Sequence, residues 1–185
     1  MRNSIGAQIY LRPLEREDLN DKYLGWLNDP EANRYLESGT IPYTKENLEK
    51  FYQQIISSSD QIILAIADRK TNLHIGNVKL GPIDWIHRKA TFGILIGERE
   101  FWGKGIGTEA TRMMVEYGFF QLNLNRIELG VHVENEAAIR IYQKAGFQIE
   151  GRFRKSVFHE GTYKDSLWMG LLRSEYESVL KGGQE

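Results

Sequence analysis

The sequence predicts a mixed α+β single domain: a central, mostly antiparallel sheet of about seven strands with helices on its faces. Three observations lead there. Short runs of strand-like alternation and continuous apolar segments recur along the chain. The connections "KTN" and "HRK" between residues 61 and 97 are too short for a parallel crossover, so these strands form an antiparallel meander. After residue 105 the spacing of apolar residues changes to the helical period and then returns to strands, which places helices on a mixed sheet.

The elements follow in order. "AQIYLRPL" alternates and ends by Pro13, a strand. Glu15 to Asn28 reads as a helix, broken at Asp29-Pro30 because the residue before proline disfavours the α region, and resumed as a shorter helix. Thr44 is positioned to cap a helix whose buried stripe is Leu48, Phe51, Tyr52 and Ile55. "QIILAIADR", "LHIGNVKLGPIDWI" and "ATFGILIG" are the meander. Ile106, Ala110, Met113 and Tyr117 mark a helix over 106–121. "RIELGVHV" is a strand, and "NEAAIRIYQKAG" is a helix with Asn135 as N-cap and Gly146 as its stop. "FQIEGRFRKSVF" and "TYKDSLWMGLL" form the last hairpin around "HEG". The domain spans 1–185, with its core over about 8–172, a tail over 174–185, and "KGGQE" frayed.

Composition narrows the function classes. The chain has 185 residues, net charge −1 and no cysteine. No global basic field points to nucleic acid or an anionic membrane. Disulfides, thiolate metal sites and a cysteine nucleophile are excluded. No run has the length of a signal peptide or of a membrane span, so the expectation is a cytoplasmic chain.

The stretch "GILIGEREFWGKGIGTEATRMMVEYGF" places Gly97, Gly103, Gly105 and Gly107 between a strand and a helix. Such clustering suits backbone amides that approach an anion. A P-loop fails, because Gly107 is followed by Thr108 and Glu109 rather than by lysine. The dinucleotide pattern is formally met by Gly105, Gly107 and Ala110, with Glu128 or Glu134 as the later acid, but "EREFW" separates it from the preceding strand. The third reading is a pyrophosphate held by the amides of Lys104 to Thr108 and the N-terminal end of the helix from Ile106, with Lys104 as a further cation. A glycine-rich turn without a ligand stands beside these.

That stretch, followed by "RIELGVHVENEAAIRIYQKAGFQIEG", resembles the GNAT superfamily of acetyl-CoA-dependent N-acetyltransferases. The similarity is greatest to the branch of ribosomal-protein N-terminal, spermidine and amino-sugar acetyltransferases. "IYLRPLEREDL", "HRKATFGI" and "FHEGTYKD" add to the resemblance, which covers about residues 8–172. One departure is Trp102, where the loop motif carries Gln or Arg.

The resemblance implies the family's fold, with a splayed strand pair that holds the cofactor, and direct transfer of acetyl from acetyl-CoA to a primary amine. It implies backbone contacts from Ile94, Leu95 and Ile96 to pantetheine and a pyrophosphate loop of Trp102, Gly103, Lys104, Gly105, Ile106, Gly107 and Thr108. It also implies contacts from Asn135, with Ala138 and Tyr142 on the same helical stripe. Lys144 is a candidate for the adenosine phosphates. Tyr142 matches the proton donor to the departing thiolate. The base of some relatives falls on Gly130, so it does not carry over; His132, Glu98 and Asp84 are the candidates here, beside a water chain. No metal is expected.

The expected partner is a small-molecule or peptide amine, without nucleic acid or membrane, and with a homodimer as the candidate assembly. The acceptor is expected against Leu24–Gly39 and Arg154–Asp165. Asp29, Glu31, Glu37, Trp26 and Tyr35 would suit a cation such as a polyamine; Arg152, Arg154 and Lys155 would suit a phosphate or nucleotide sugar. The alternatives are a CoA-binding sensor without turnover and a dinucleotide-binding oxidoreductase.

Overall fold

A computed structural model describes residues 6–36 and 41–182. One seven-stranded sheet has the order β1-β2-β3-β4-β5-β7-β6. Its strands are β1 (Ile9–Pro13), β2 (Ile62–Asp68), β3 (His74–Asp84), β4 (Lys89–Ile96), β5 (Arg126–His132), β6 (Gln148–His159) and β7 (Thr162–Leu172). All neighbours are antiparallel except β4 and β5. A doubly wound parallel sheet, which the dinucleotide reading needs, is not what forms.

Helices α1 (Asp21–Asn28) and α2 (Lys45–Ser57) cover one face; α3 (Ile106–Phe120), α4 (Glu136–Lys144) and α5 (Arg173–Gly182) cover the other. Strand alternation feeds both cores. In β2, Ile63 and Ala65 join Tyr23, Trp26, Leu27 and Leu48, while Leu64 and Ile66 join the larger core with Met114, Phe119 and Leu129.

Three elements differ from the sequence reading. The helix expected from Glu15 starts only at Asp21, after a 3-10 turn at Arg16–Asp18, because the Asn20 side chain accepts from the amides of Lys22 and Tyr23 and fixes the start there. The shorter helix expected to resume after Pro30 does not form over residues 31–36, the described part of that segment. The carbonyl and carboxylate of Asp29 take the amides of Asn33 and Glu31, and Asn33 donates to Leu27 O, which holds the segment as turns. The core does not end at 172: α5 runs to Gly182, and buried Tyr176 packs on Phe119 and Phe120. The fraying expected of "KGGQE" falls mainly outside the described residues. Among the described residues no helix is long and apolar enough to cross a membrane, and no group of three acidic or histidine side chains is placed to hold a metal ion.

One feature of the sheet positions everything else. β4 pairs with β5 only at Lys89, Ala90 and Thr91. On the other side of β4 the register with β3 slips between Leu80 and Ile83, so that Gly81 and Pro82 stand opposite Thr91 alone. A bulge bends its strand pair, and this bend falls where β4 leaves β5. Beyond it the two strands diverge.

Where β1 meets the α1 face, Asp18 is buried and bidentate to Arg12 at 2.6 and 2.7 Å, accepts from the Glu15 amide and stands 3.5 Å from His74 Nδ1. Burial works against its charge, but the Arg12 hydrogen bonds prevail and hold the carboxyl below its ordinary value. Asp18→Asn removes the bidentate partner of Arg12, leaves it only the exposed Glu15 at 3.8 Å, and is expected to cost about 3 kcal/mol in urea unfolding at neutral pH. Since the folded carboxyl is the stronger acid, its contribution is full above about pH 4 and fades as pH falls below that. The variant should therefore lose less stability than wild type on acidification.

Candidate active site

The divergence of β4 and β5 leaves one edge of β4 open from Phe92 to Ile96. Gly97 N donates to Ile75 O, which fixes the alternation. The backbone of Leu95 then faces β3, and that of Ile94 and Ile96 faces the opening. Of the three residues expected to bond pantetheine, Ile94 and Ile96 thus turn their backbone groups to the opening. Leu95 instead sends its side chain into the α1/α2 core. The Ile96 carbonyl already accepts from Trp102 Nε1 at 2.8 Å. Trp102, the departure from the loop motif, thus ties the loop to the strand.

The loop itself is preorganised. Gly103 and Gly105 have φ of 72° and 84°, the left-handed region that glycine tolerates, and a Cβ on Gly103 would meet nothing within 4 Å. Gly105 is the N-cap of α3 and brings no capping side chain. The amides of Ile106, Gly107 and Thr108 belong to the first turn, which has no intrahelical acceptors, and the helix adds its positive end. Gly107 lets α4 approach: a Cβ there would lie 2.9 Å from Ile141 Cδ1. The residues fit a pyrophosphate.

The start of the chain braces this loop. The Gln8 amide donates to Glu109 Oε1 at 3.0 Å, and Gln8 Nε2 donates to Lys104 O at 3.2 Å. The Lys104 ammonium rests over the Phe101 ring. Neither brace was legible in the sequence, since about a hundred residues separate the partners and no periodicity links them.

On α4, Asn135 caps the helix by accepting from Ala138 N at 3.1 Å. Ala138 packs on the larger core. Lys144 is exposed in the last turn, where its carbonyl accepts from Arg112; it lies toward α3 well past the loop. Tyr142 is buried, its ring edge-on to Phe92 at 5.9 Å and tilted on Phe147 at 6.0 Å. Phe92 is the first β4 residue past the pairing with β5, so Tyr142 sits at the vertex of the splay. Burial pushes its phenol up to about 12.

The base candidates separate in space. His132 ends β5 on the face opposite Ile127, Leu129 and Val131, four residues beyond the last β4 pair. Its ring contacts Tyr35 at 5.4 Å and His159 at 5.5 Å, and it lines a cleft of about 720 Å³ with Asn33, Arg34, Ser156, Phe158 and His159. Glu98 is held by Trp26 Nε1 at 2.7 Å and Lys22 Nζ at 3.2 Å, an anchor for α1. Asp84 accepts from the amides of Ile86 and His87 at the closed end of the splay, about 20 Å along β4 from Ile96.

The cleft lies between the α1–α2 connection and the β6–β7 hairpin, where the acceptor was expected. Asp29 and Glu31 both pair with Arg99, Trp26 is buried in the α1/α2 core, and Glu37 lies outside the described residues. His159 was not singled out from the sequence. Its only signal was its place in the motif "FHEGTYKD".

Residues 8–148 match the family described as Acetyltransferase (GNAT) domain. The chain is 35% identical over 169 residues to the spermidine N(1)-acetyltransferase of Escherichia coli K12, covering 91% of this chain and 88% of that protein. The Vibrio cholerae spermidine N(1)-acetyltransferase is 36% identical over 175 residues, with 93% and 97% covered. A putative ribosomal N-acetyltransferase of Bacillus subtilis is 36% identical over 102 residues, 55% of each chain. Among solved structures, the Vibrio cholerae spermidine N-acetyltransferase in complex with CoA and spermine superposes with a TM-score of 0.85 at 34% identity, covering 93% of this chain and 99% of that one. Splayed strands, an uncapped glycine loop and these relatives place the chain in the GNAT family of N-acetyltransferases, enzymes that move an acetyl group to an amine.

Proposed function

We propose that acetyl transfer takes place at the splay, with the cosubstrate entering along the open edge of β4. The observation that carries this is the early end of the β4–β5 pairing beside the uncapped N-terminus of α3. Acetyl-CoA supplies a thioester carbonyl carbon to an amine. The amides of Ile106, Gly107 and Thr108 hold its pyrophosphate, and Ile94 and Ile96 offer backbone groups to its pantetheine.

Tyr142 is the proposed proton donor to sulfur. Its phenol stays protonated through neutral and mildly alkaline pH. A thiol resembling cysteine has a pKa near about 8.5, so full transfer from a phenol near 12 runs uphill. The hydroxyl therefore acts as a hydrogen bond that strengthens as charge collects on sulfur; as the C–S bond breaks it passes its proton to sulfur and regains one from the attacking nitrogen, which must shed it to become the amide. His132, at the end of β5 on the opposite face and lining the cleft, is the proposed base for the ammonium. Glu98 and Asp84 are engaged elsewhere and are set aside. The acceptor is a small-molecule amine or a peptide; relatives named for spermidine support the first.

Gly105→Val brings a Cβ and branched methyls to a left-handed backbone at the anion site. CoA affinity in a calorimetric titration should fall at least about tenfold in a variant that still melts cooperatively. Unchanged affinity would remove the loop from the cofactor site.

Tyr142→Phe keeps the ring against Phe92. Acetyl-CoA binding should be little changed, and single-turnover transfer should slow by about 10²-fold or more. Wild-type single-turnover rates would make Tyr142 a packing residue alone.

His132→Gln should lower kcat/KM at neutral pH, where the amine arrives protonated. The deficit should shrink as pH approaches the amine's own pKa, because the free base then needs no help. A deficit constant across pH would assign His132 a binding role instead.

A further inference from the structure

Tyr142 and the glycine loop meet the splay from the side of the larger core, while the cleft with His132 opens on the other face of the sheet. An amine that enters by the cleft has to cross the sheet to reach the thioester. The two faces communicate where β4 and β5 have parted. Thr91 is paired with Glu128, and two residues further along each strand stand Gly93 and Gly130. Alternation puts both on the cleft face: Phe92 and Leu129 turn into the larger core, Leu95 joins the smaller one, and His132 lines the cleft. Seen from the cleft, the first step of the gap carries no side chain on either bank.

Packing does not account for glycine at 93. Its backbone is outside the left-handed region, and a Cβ there would meet nothing within 4 Å. Gly76 and Gly97 differ, because a Cβ on either would collide with Leu95 or Trp26. A glycine inside a strand weakens it and marks a place where a ligand or another backbone comes close. No other backbone comes close to Gly93.

Gly130 is exposed although β5 lies inside the sheet. A Cβ there would stand 3.3 Å from the ring of Trp168, its partner on β7. Phe153 braces that indole edge-on at 5.9 Å. His132 follows two residues on, roughly 7 Å along the same face. Its partner Ser166 bonds Ser156 of the cleft wall, so one continuous floor runs from the cleft to the gap.

We infer that Gly93 and Gly130 form the passage by which the acceptor's amine crosses to the thioester, and that Trp168 sets its width and so the bulk of the amine admitted. The inference rests on the acetyltransferase reading and adds the route by which its acceptor arrives. A side chain at 93 would project into that route and touch nothing else.

The test uses the full chain and measures thiol release from acetyl-CoA with spermidine, glucosamine, kanamycin and a peptide with a free N-terminus. The amine turned over fastest is then followed in the variants. Gly93→Ala and Gly93→Val should keep the wild-type Tm or exceed it, since the Cβ has room and the unfolded chain loses freedom. CoA affinity by calorimetry should stay within about twofold of wild type. For the amine, kcat/KM should fall roughly tenfold or more with valine and less with alanine. Trp168→Leu should restore part of the activity lost in Gly93→Ala, and should raise kcat/KM for the bulkier amines relative to spermidine. A packing role for Trp168 would move stability and neither of those ratios. Wild-type kcat/KM in Gly93→Val, loss of CoA binding along with activity, or a deficit that Trp168→Leu does not relieve overturns the inference and leaves the transferase reading standing. Should the valine variant not fold, the alanine variant decides by the same criteria. Thiol release with none of the amines, while CoA still binds, sinks both.

Discussion

The structure depends on a parallel pairing that stops after three residues. Strands held 4.8 Å apart leave no room for a ligand between them. The register slip at Gly81–Pro82 turns β4 away at Thr91, and the rings of Phe92, Tyr142 and Phe147 fill the vertex. The opening exposes backbone that a continuous sheet would consume. It is tolerable because the other edge of β4 stays paired with β3 on both sides of the bulge, so the strand is bent and not lost.

The rest of the fold stabilises that opening from two sides. The larger core carries α3 and α4 and sets the loop and Tyr142 against the splay. The smaller core carries α1 and α2. It reaches the same place through Trp26, whose indole bonds Glu98 and packs so closely that a Cβ on Gly97 would fall 1.9 Å from its ring. The two layers meet at the gap. Tyr142 comes to it from the larger core, while His132 ends β5 on the other face of the sheet.

Much of the fold was legible because its signals are local. Alternation marked the seven strands, Thr44 and Asn135 announced helix starts, and three-residue turns fixed the meander. The misses have local causes too. Asn20 outcompeted Glu15 as a helix start, and Asp29 with Asn33 satisfied their neighbours' amides in turns where a helical pattern seemed to resume. α5 is short and is secured by Tyr176 against α3, a tertiary contact that no window of the sequence displays. In the site, glycines and the Asn135–Tyr142 spacing are local patterns and were read directly. The Tyr35–His132–His159 cluster joins a loop, a strand end and a hairpin, so only the folded chain brings it together.

The brace from Gln8 to Lys104 and Glu109 has a dynamic consequence. β1 is an edge strand, paired on one side only, and edges are where a sheet opens first. The glycine loop before α3 is fastened to that edge through Gln8. Local opening of β1 and loss of loop order thus share one equilibrium, and a ligand that binds the ordered loop draws on it. Occupancy at the helix terminus should therefore be felt as slower hydrogen exchange at the amides of Gln8 and its β1 neighbours, on a part of the sheet that the ligand does not touch.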